Sequence, residues 1–562
     1  MSESVMLTIV MEEPEGQRDG VLKNRTDSRK TQENVPAKVE VTLDLHATLM
    51  STLLENHLIS GNFCGGRGVC GRCRVQFLKA APLPTSIERK LFSPEEMRAG
   101  FRLACMAKPK NDCVIRLDFP KDASVNIVAD VIGMSEKIDF YSQVKNEQHT
   151  AGGMKIIAVD LGTTTIAMQL VDLESGRIED TYCAMNPQRS YGADVLSRIQ
   201  AANNGQALEL QNSVWQVLRK GTEHFEQTLS ERTASKPERI CCMCIAGNTT
   251  MTHLLLGFST KQLGSAPFLP EDISLQKLMP VGKNRNKMPF PVYVLPGISA
   301  FVGGDIVAGL YCCHMLYGSG EAAFCGQEEE AVLFIDLGTN GEMAITDGRR
   351  MIVTAAAAGP AFEGGAGAAV QGSDMVAVTA ELLKKKIIDE TGLLAEPYFE
   401  QGITIHWPDG STEIGRGASG ISRRDASSIE DGTPQDNTAI YLTQKDIRDL
   451  QMAKAAVRAG VEILYKRMGC PRIGRVYLAG GFGYYLDVAA AIEIGLLPAY
   501  LRNVVTAVGN TSLAGAFLLG RDLYTGKMKE HVLAGYLHET EHINLAKQEE
   551  FEAIYIEQIR FC

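Results

Sequence analysis

Ile156-Ile157-Ala158-Val159-Asp160-Leu161-Gly162-Thr163-Thr164-Thr165 is an apolar run that ends in an aspartate, a glycine turn and three hydroxyls. It recurs as Val332-Leu333-Phe334-Ile335-Asp336-Leu337-Gly338-Thr339-Asn340-Gly341-Glu342, with the two aspartates 176 positions apart. Each copy reads as a buried strand, then a second strand, a polar turn (Glu174-Ser175-Gly176; Asp347-Gly348) and a third strand. A turn of Gly and Thr presents backbone N–H groups and hydroxyls to phosphate oxygens, and the Asp can hold hydrated magnesium. One D-L-G-T is a weak signal, since a plain hairpin turn has the same composition. Two copies, each after an apolar strand, predict two similar lobes around one nucleotide.

Other elements fall in an order that suits this reading. Gly303-Gly304-Asp305 precedes a helix-like run with small Ala308 and Gly309. Tyr477-Leu478-Ala479-Gly480-Gly481-Phe482-Gly483 reads as a strand into a glycine turn, and Gly509-Asn510-Thr511-Ser512-Leu513-Ala514-Gly515-Ala516 leads a second small-faced helix. Small residues let two helices cross closely at a hinge between lobes. From Met154 onward strands alternate with helices, the pattern of an α/β architecture. One helix is well marked: Thr443 opens it, Ile447, Leu450, Val457, Val461 and Leu464 share a face, and Gly469 closes it.

The first 120 residues differ. Short β-like runs (Val5–Val10, Val39–Leu43, Val75–Leu78, Val114–Leu117) surround a helix-like stretch, Thr48–His57, and polar Glu13–Pro36 reads as a long loop. Within this zone Cys64, Cys70 and Cys73 have the spacing C-x5-C-x2-C, and Cys105 follows 32 positions later. Glycines at 61, 65, 66, 68 and 71 let the backbone wrap a cluster and aim N–H groups at its sulfurs. A fourth thiolate from a distant segment closes a ferredoxin-type 2Fe–2S site, whereas zinc sites favour two short Cys pairs. Arg67, Arg72, Arg74 and Lys79 surround the loop with no acid between positions 62 and 79, which reads either as a plain solvated loop or as positive charge that stabilises the reduced cluster and offers a docking face. The other ten of the 14 cysteines are expected to be core fillers, Cys113 among them.

Composition bounds the rest. The 562 residues are 45% hydrophobic and 22% charged, the profile of a soluble chain with sizeable cores. Lys and Arg total 56 against 67 Asp and Glu, a net charge of −11, which argues against nucleic acid as a partner. No apolar run is long enough for a membrane span, and Val5–Met11 lacks the features of a signal peptide, so the expected place is the cytoplasm.

The order of phosphate loop, connecting helix, second phosphate loop, adenosine loop and connecting helix resembles the acetate- and sugar-kinase, chaperone and actin superfamily. That resemblance implies that Asp160, Gly162, Thr163, Thr164, Thr165, Asp336, Gly338, Thr339, Asn340 and Gly341 face the phosphates and metal. Gly480, Gly481 and Gly483 would pass beside the adenosine, and Glu342 would orient the attacking water, or else be an exposed strand residue. Asn186-Pro187-Gln188 with Tyr191-Gly192-Ala193-Asp194, and Ala246-Gly247-Asn248-Thr249-Thr250-Met251, sharpen the match. Together with the cysteine domain they make the chain resemble the ATP-dependent reductive activators of corrinoid proteins.

What this implies is an α/β chain: a β-grasp ferredoxin-like domain over residues 1–120, a linker over 121–153, a two-lobed actin-like, RNase H-like ATPase over 154–540, and a C-terminal tail over 541–562. The lobes would divide near 325. Residues 119–155 are too short for the separate middle domain that some members carry after the ferredoxin. The implied activity returns Co(II) corrinoid to Co(I) in a methyl-transfer system, with a 2Fe–2S cluster, ATP and Mg2+ as cofactors. A corrinoid protein and an upstream low-potential electron donor are the implied partners, and a homodimer is compatible with the resemblance. A redox-sensing small-molecule kinase and a nucleotide-gated binding module share the same constellations. The activators of 2-hydroxyacyl-CoA dehydratases share the ATPase fold but hold their cluster between subunits.

Overall fold

The computed structural model describes residues 4–11, 37–44, 48–55, 73–117, 153–192, 194–231, 238–280, 288–316, 330–338, 340–359, 372–407, 411–414 and 438–561. The chain divides into two compact units. One is drawn from Met1–Val125 and Pro187–Ala201, the other from Asn126–Asn186, Ala202–Arg423 and Gln435–Cys562. Pro187–Ala201, a stretch the sequence assigns to the ATPase, is thus grouped with the N-terminal unit. The expected loop Glu13–Pro36 and nearly all of the connector 119–155 lie outside the described residues.

The first unit is a mixed sheet of β1 (Ser4–Met11), β2 (Ala37–Asp44), β3 (Arg74–Lys79), β4 (Phe101–Leu103) and β5 (Cys113–Leu117), in the order β2-β1-β5-β3-β4. β1 pairs antiparallel with β2 and parallel with β5, the layout of a β-grasp domain. Two-residue periodicity sends Leu7 and Ile9, Val75 and Phe77 to one face. The helix Leu49–Glu55 lays Leu49, Met50 and Leu53 on them.

The second unit repeats one design. β6 (Met154–Leu161), β7 (Thr165–Asp172) and β8 (Ile178–Met185) form an antiparallel meander, with β9 (Arg239–Gly247) parallel to β6. β10 (Gln276–Leu278) and β11 (Val292–Val294) complete the order β10-β11-β9-β6-β7-β8. The second copy comprises β12 (Glu330–Leu337), β13 (Gly341–Thr346) and β14 (Met351–Ala356). After a small sheet of β15 (Ile403–Trp407), β16 (Ser411–Ile414) and β17 (Thr438–Leu442), it continues with β18 (Arg472–Ala479), β19 (Val505–Gly509) and β20 (Glu541–Ile543). Its order is β19-β18-β12-β13-β14-β20, with β18 parallel to β12. β6 and β12 are buried in the same register, with only the first residue and the aspartate of each incompletely covered. The expected C-terminal tail is structured. β20 pairs parallel with β14, and Ile554 and Phe561 enter the second core.

Two helices lie between the sheets, and each touches the sheet it does not directly follow, although Gly304–Cys312 also packs on β9 of its own sheet. Gly304–Cys312 comes after β11, yet Gly309 packs on Phe334 of β12. Thr511–Thr525 comes after β19, yet Gly520 packs on Cys244 of β9. A Cβ on Gly515 would stand 2.0 Å from the carbonyl oxygen of Ala308, so the two helices touch backbone to backbone there. Tyr311 Oη donates to Asp522 Oδ2 at 2.5 Å and pins the crossing. The helix Gln444–Arg467 begins as the sequence foretells. Thr443 and Asp446 form a reciprocal capping box, and Gly469 ends the run at φ +87°.

The crossing yields a paired test. Gly515→Ala should lower stability by about 1–3 kcal/mol, the usual cost of forcing atoms into a filled site. Gly535→Ala, in a helix where nothing lies within 4 Å of the new methyl, should raise it by about 0.5–1 kcal/mol. Denaturant unfolding of both variants checks the contrast, and a neutral Gly515→Ala would contradict the close crossing.

Candidate functional site

In the first unit, two of the four predicted cluster ligands are described. Cys73, at the start of β3, and Cys105 are both buried, and their sulfurs are 3.2 Å apart. Backbone bonds hold the two segments together: Ala104 N donates to Cys73 O at 2.7 Å, while Met50 N and Leu49 N donate to Ala104 O and Ala107 O. The buried Glu88 carboxylate accepts from Leu103 N at 2.8 Å and from Thr85 N at 2.6 Å, fixing the strand that leads to Cys105. The hydrogen bond with Cys105 brings the Cys73 thiol down to about 7. An acidified thiol beside a second buried thiol, with backbone N–H groups close by, suits a thiolate-held iron centre. Cys64, Cys70 and the glycines between them lie outside the described residues, as do Arg67 and Arg72. Among the described residues no three metal-ligating side chains gather.

Two expectations about this unit need correction. Arg74 is not a free docking charge: it bonds Glu96 at 2.7 Å and lies 4.0 Å from the Phe101 ring. The acid absent from the local sequence arrives from 22 positions away. Cys113 is the expected filler, buried and pushed up to about 11 by that burial, but Cys183 and Cys470, also expected in cores, are exposed.

In the second unit the carboxyl ends of the parallel strands in both sheets converge, the place where open α/β sheets take ligands. Asp160 ends β6 and Asp336 ends β12. Gly162 sits in a turn so tight that a Cβ would fall 2.7 Å from Thr165 O. Asn186 Nδ2 donates to Gly162 O at 2.7 Å, Asn186 N donates to Thr164 O, and Asn248 Nδ2 donates to Thr163 Oγ1 at 3.0 Å. The two Asn motifs flagged in the sequence therefore brace the first phosphate loop. In the second loop Gly338 N donates to Asn340 O at 2.9 Å, and Thr339 lies outside the described residues. Gly341 packs against Val457, so a Cβ there would meet the helix rather than a ligand.

The predicted glycine turn after β18 is instead a short helix, Gly480–Tyr485. Gly480 has φ +87° and abuts Asp336, whose Oδ1 would lie 2.5 Å from an added Cβ, while Gly483 faces its own strand at Leu478. Only glycine can combine that backbone conformation with that approach. Glu342, directly opposite Asp336 on β13, is buried, which removes the exposed-strand alternative.

Asp160, Asp305, Asp336 and Glu342 form one acidic group. Burial is the main cause that raises each of them, and mutual repulsion adds to it for Asp305, Asp336 and Glu342. Asp305 and Asp336 are both pushed up to about 7, and Glu342 well above the usual carboxylate range. The side chains that offset this, Asn510, Ser512 and Asn340, are neutral donors. At the far end of β6, by contrast, Lys155 balances its neighbours, at 2.8 Å from Asp172 and Glu179 and 3.0 Å from Glu238. No three of these carboxylates gather as direct metal ligands, so a divalent cation here would be reached through retained waters and nucleotide oxygens. Asp305, Asn510 and Ser512 were not singled out as site residues by sequence, although each stands in a quoted motif.

Comparison with known proteins adds family models and relatives. The 2Fe-2S iron-sulfur cluster binding domain matches residues 33–110, the RACo middle region matches 156–317, and the C-terminal domain of RACo, the ASKHA domain, matches 330–369 and 366–562. The middle-region match falls on the first six-stranded sheet, not on a separate insert after the ferredoxin. The chain is 27% identical over 471 residues to the corrinoid activation enzyme RamQ of Eubacterium limosum, covering 77% of this chain and 74% of that one. It is 25% identical over 448 residues to the Co(II) methylated amine-specific corrinoid protein reductase of Methanosarcina barkeri, covering 72% and 76%. A solved structure described as a reductive activator for corrinoid, iron-sulfur protein shares the fold, with a TM-score of 0.55 and 23% identity over 99% of this chain and 98% of that one. Among the described residues no helix is long and apolar enough to cross a membrane.

The raised acids carry a pH signature. Asp336 titrates near 7 when folded but near 3.9 when unfolded, so its contribution to stability is full below about 3.9 and lost as pH rises through 7. Without metal or nucleotide, Asp336→Asn should unfold at a higher temperature than the parent at pH 8, with the gap shrinking toward pH 5. Parallel pH profiles for the two proteins would contradict the assignment.

Proposed function

Because the chain belongs to the family of ATP-dependent reductive activators of corrinoid proteins, we propose that it delivers single electrons to a corrinoid protein, returning Co(II) to Co(I) in a methyl-transfer system. The observation that carries this reading is one chain that joins a ferredoxin-type thiol pair to a duplicated phosphate-loop site with an unbalanced acidic group. When bound, a 2Fe–2S cluster supplies a one-electron carrier, and ATP with Mg2+ supplies free energy.

In this reading Cys64, Cys70, Cys73 and Cys105 hold the cluster. Asp160 and Asp336 would hold a hydrated magnesium, Gly162–Thr165 and Gly338–Asn340 would face the phosphates, and Gly480 and Gly481 would pass beside the adenosine. Glu342, whose carboxyl is raised well above the usual range by burial, would orient the attacking water. A low-potential donor reloads the electron, and the cytoplasm is the place that suits donor and corrinoid partner alike. Ferredoxin-type clusters work near −400 mV, and a Co(II)/Co(I) couple is a harder target. Each 59 mV of deficit in a one-electron step costs about 1.4 kcal/mol, which nucleotide-driven closure of the lobes offsets by favouring the geometry in which cobalt is easier to reduce.

The test mixes reduced protein with a Co(II) corrinoid protein and follows the cobalt spectrum. Protein alone should leave most of the cobalt as Co(II), and Mg–ATP should produce Co(I). Cys70→Ala should remove the visible cluster absorbance and the Co(I) yield while nucleotide binding persists. An equal yield with and without ATP, across several corrinoid partners, would overturn the reading.

A further inference from the structure

Both oxygens of Asp160 are gripped by the chain that arrives from the second sheet. Asn510 Nδ2 donates to Oδ2 at 2.9 Å, and Ser512 Oγ donates to Oδ1 at 2.8 Å, across 350 and 352 positions of sequence. Asn510 leaves the end of β19 and caps the helix Thr511–Thr525, its own Oδ1 accepting from Leu513 N at 2.9 Å. With its oxygen committed to the cap, only the NH2 group of the amide is left for Asp160, so the cap and the grip fix each other. The same helix cannot slide freely, because Gly515 touches Ala308 and Asp522 accepts from Tyr311.

A carboxylate oxygen has two acceptor positions. Here each oxygen spends one on a side-chain donor and keeps one to receive a water of a hydrated cation. We propose that Asn510 and Ser512 are positioning residues of the nucleotide–metal site, aiming Asp160 at the water shell of the cation and making its aim depend on the chain returning from the second sheet. This rests on the reading of Asp160 as a magnesium-holding residue. Its consequence is a coupling: nucleotide bound against the first phosphate loop is felt at β19, because the carboxylate between them is shared. Groups that orient a metal's ligands in this way typically change metal affinity by about 10–100-fold when removed.

The experiment titrates ATP binding to the full-length protein by calorimetry at a series of Mg2+ concentrations and again in EDTA. Ser512→Ala keeps a good helix former at its position, and Asn510→Ser keeps a capping residue too short to reach Asp160. Each should raise the Mg2+ needed for half-maximal ATP binding by about 10–100-fold, leave binding in EDTA unchanged, and unfold at a temperature close to the parent's. Ser512→Thr, which retains the hydroxyl, should restore the parental Mg2+ requirement. A parental requirement in both Ser512→Ala and Asn510→Ser overturns the proposal, as does an equal loss of binding with and without Mg2+, which marks a purely structural role. Asp160→Asn separates the two levels. If it too leaves the Mg2+ requirement at the parental value, the reading of Asp160 fails and takes the proposal with it; a raised requirement in Asp160→Asn alone rejects only the positioning role.

Discussion

Where Gly515 meets Ala308, two helices touch backbone to backbone, and a single methyl group in that contact would collide with a carbonyl. The closeness matters because each helix also touches the sheet it does not directly follow, through Gly309 on Phe334 and Gly520 on Cys244. Bulkier residues at these positions would push the sheets apart and separate the strand ends that carry Asp160 and Asp336. With the crossing intact, four carboxylates from β6, β12, β13 and the helix Gly304–Cys312 come close enough to repel one another.

That repulsion is the electrostatic sense of the site. Buried like charges are tolerated only if a proton or a cation relieves them. Burial raises all four acids, and proximity adds to it for Asp305, Asp336 and Glu342, which favours the protonated forms in the nucleotide-free protein. The contrast with Lys155, where three carboxylates share a buried ammonium at the opposite end of β6, shows that the imbalance is local.

Much of the architecture was legible in the chain because its signals are local or repeated. The duplicated apolar strand with its terminal aspartate gave both lobes, and the two strands are buried in the same register. Thr443 and Gly469 bounded their helix as read. What escaped is non-local. The grip of Asn510 and Ser512 on Asp160 spans about two thirds of the chain, and no spacing rule reports it. The salt bridge of Arg74 with Glu96 cancels a charge that looks free in the cluster loop, because the acid belongs to another segment. Glu342 reads either as a residue that orients water or as an exposed strand residue, and the structure buries it on a strand covered on both faces. The glycines after β18 read as a turn, but Gly480 serves to let a helix start against Asp336.

We propose that one metal–nucleotide site is built from both copies of the repeated strand, apart from the cluster cysteines. The most direct measurement is Mg–ATP hydrolysis by Asp160→Ala and Asp336→Ala, with the visible absorbance of the iron–sulfur centre recorded on the same samples. The account predicts that each variant loses most of its turnover while its absorbance stays at the parental level. Parental hydrolysis by both variants would contradict it.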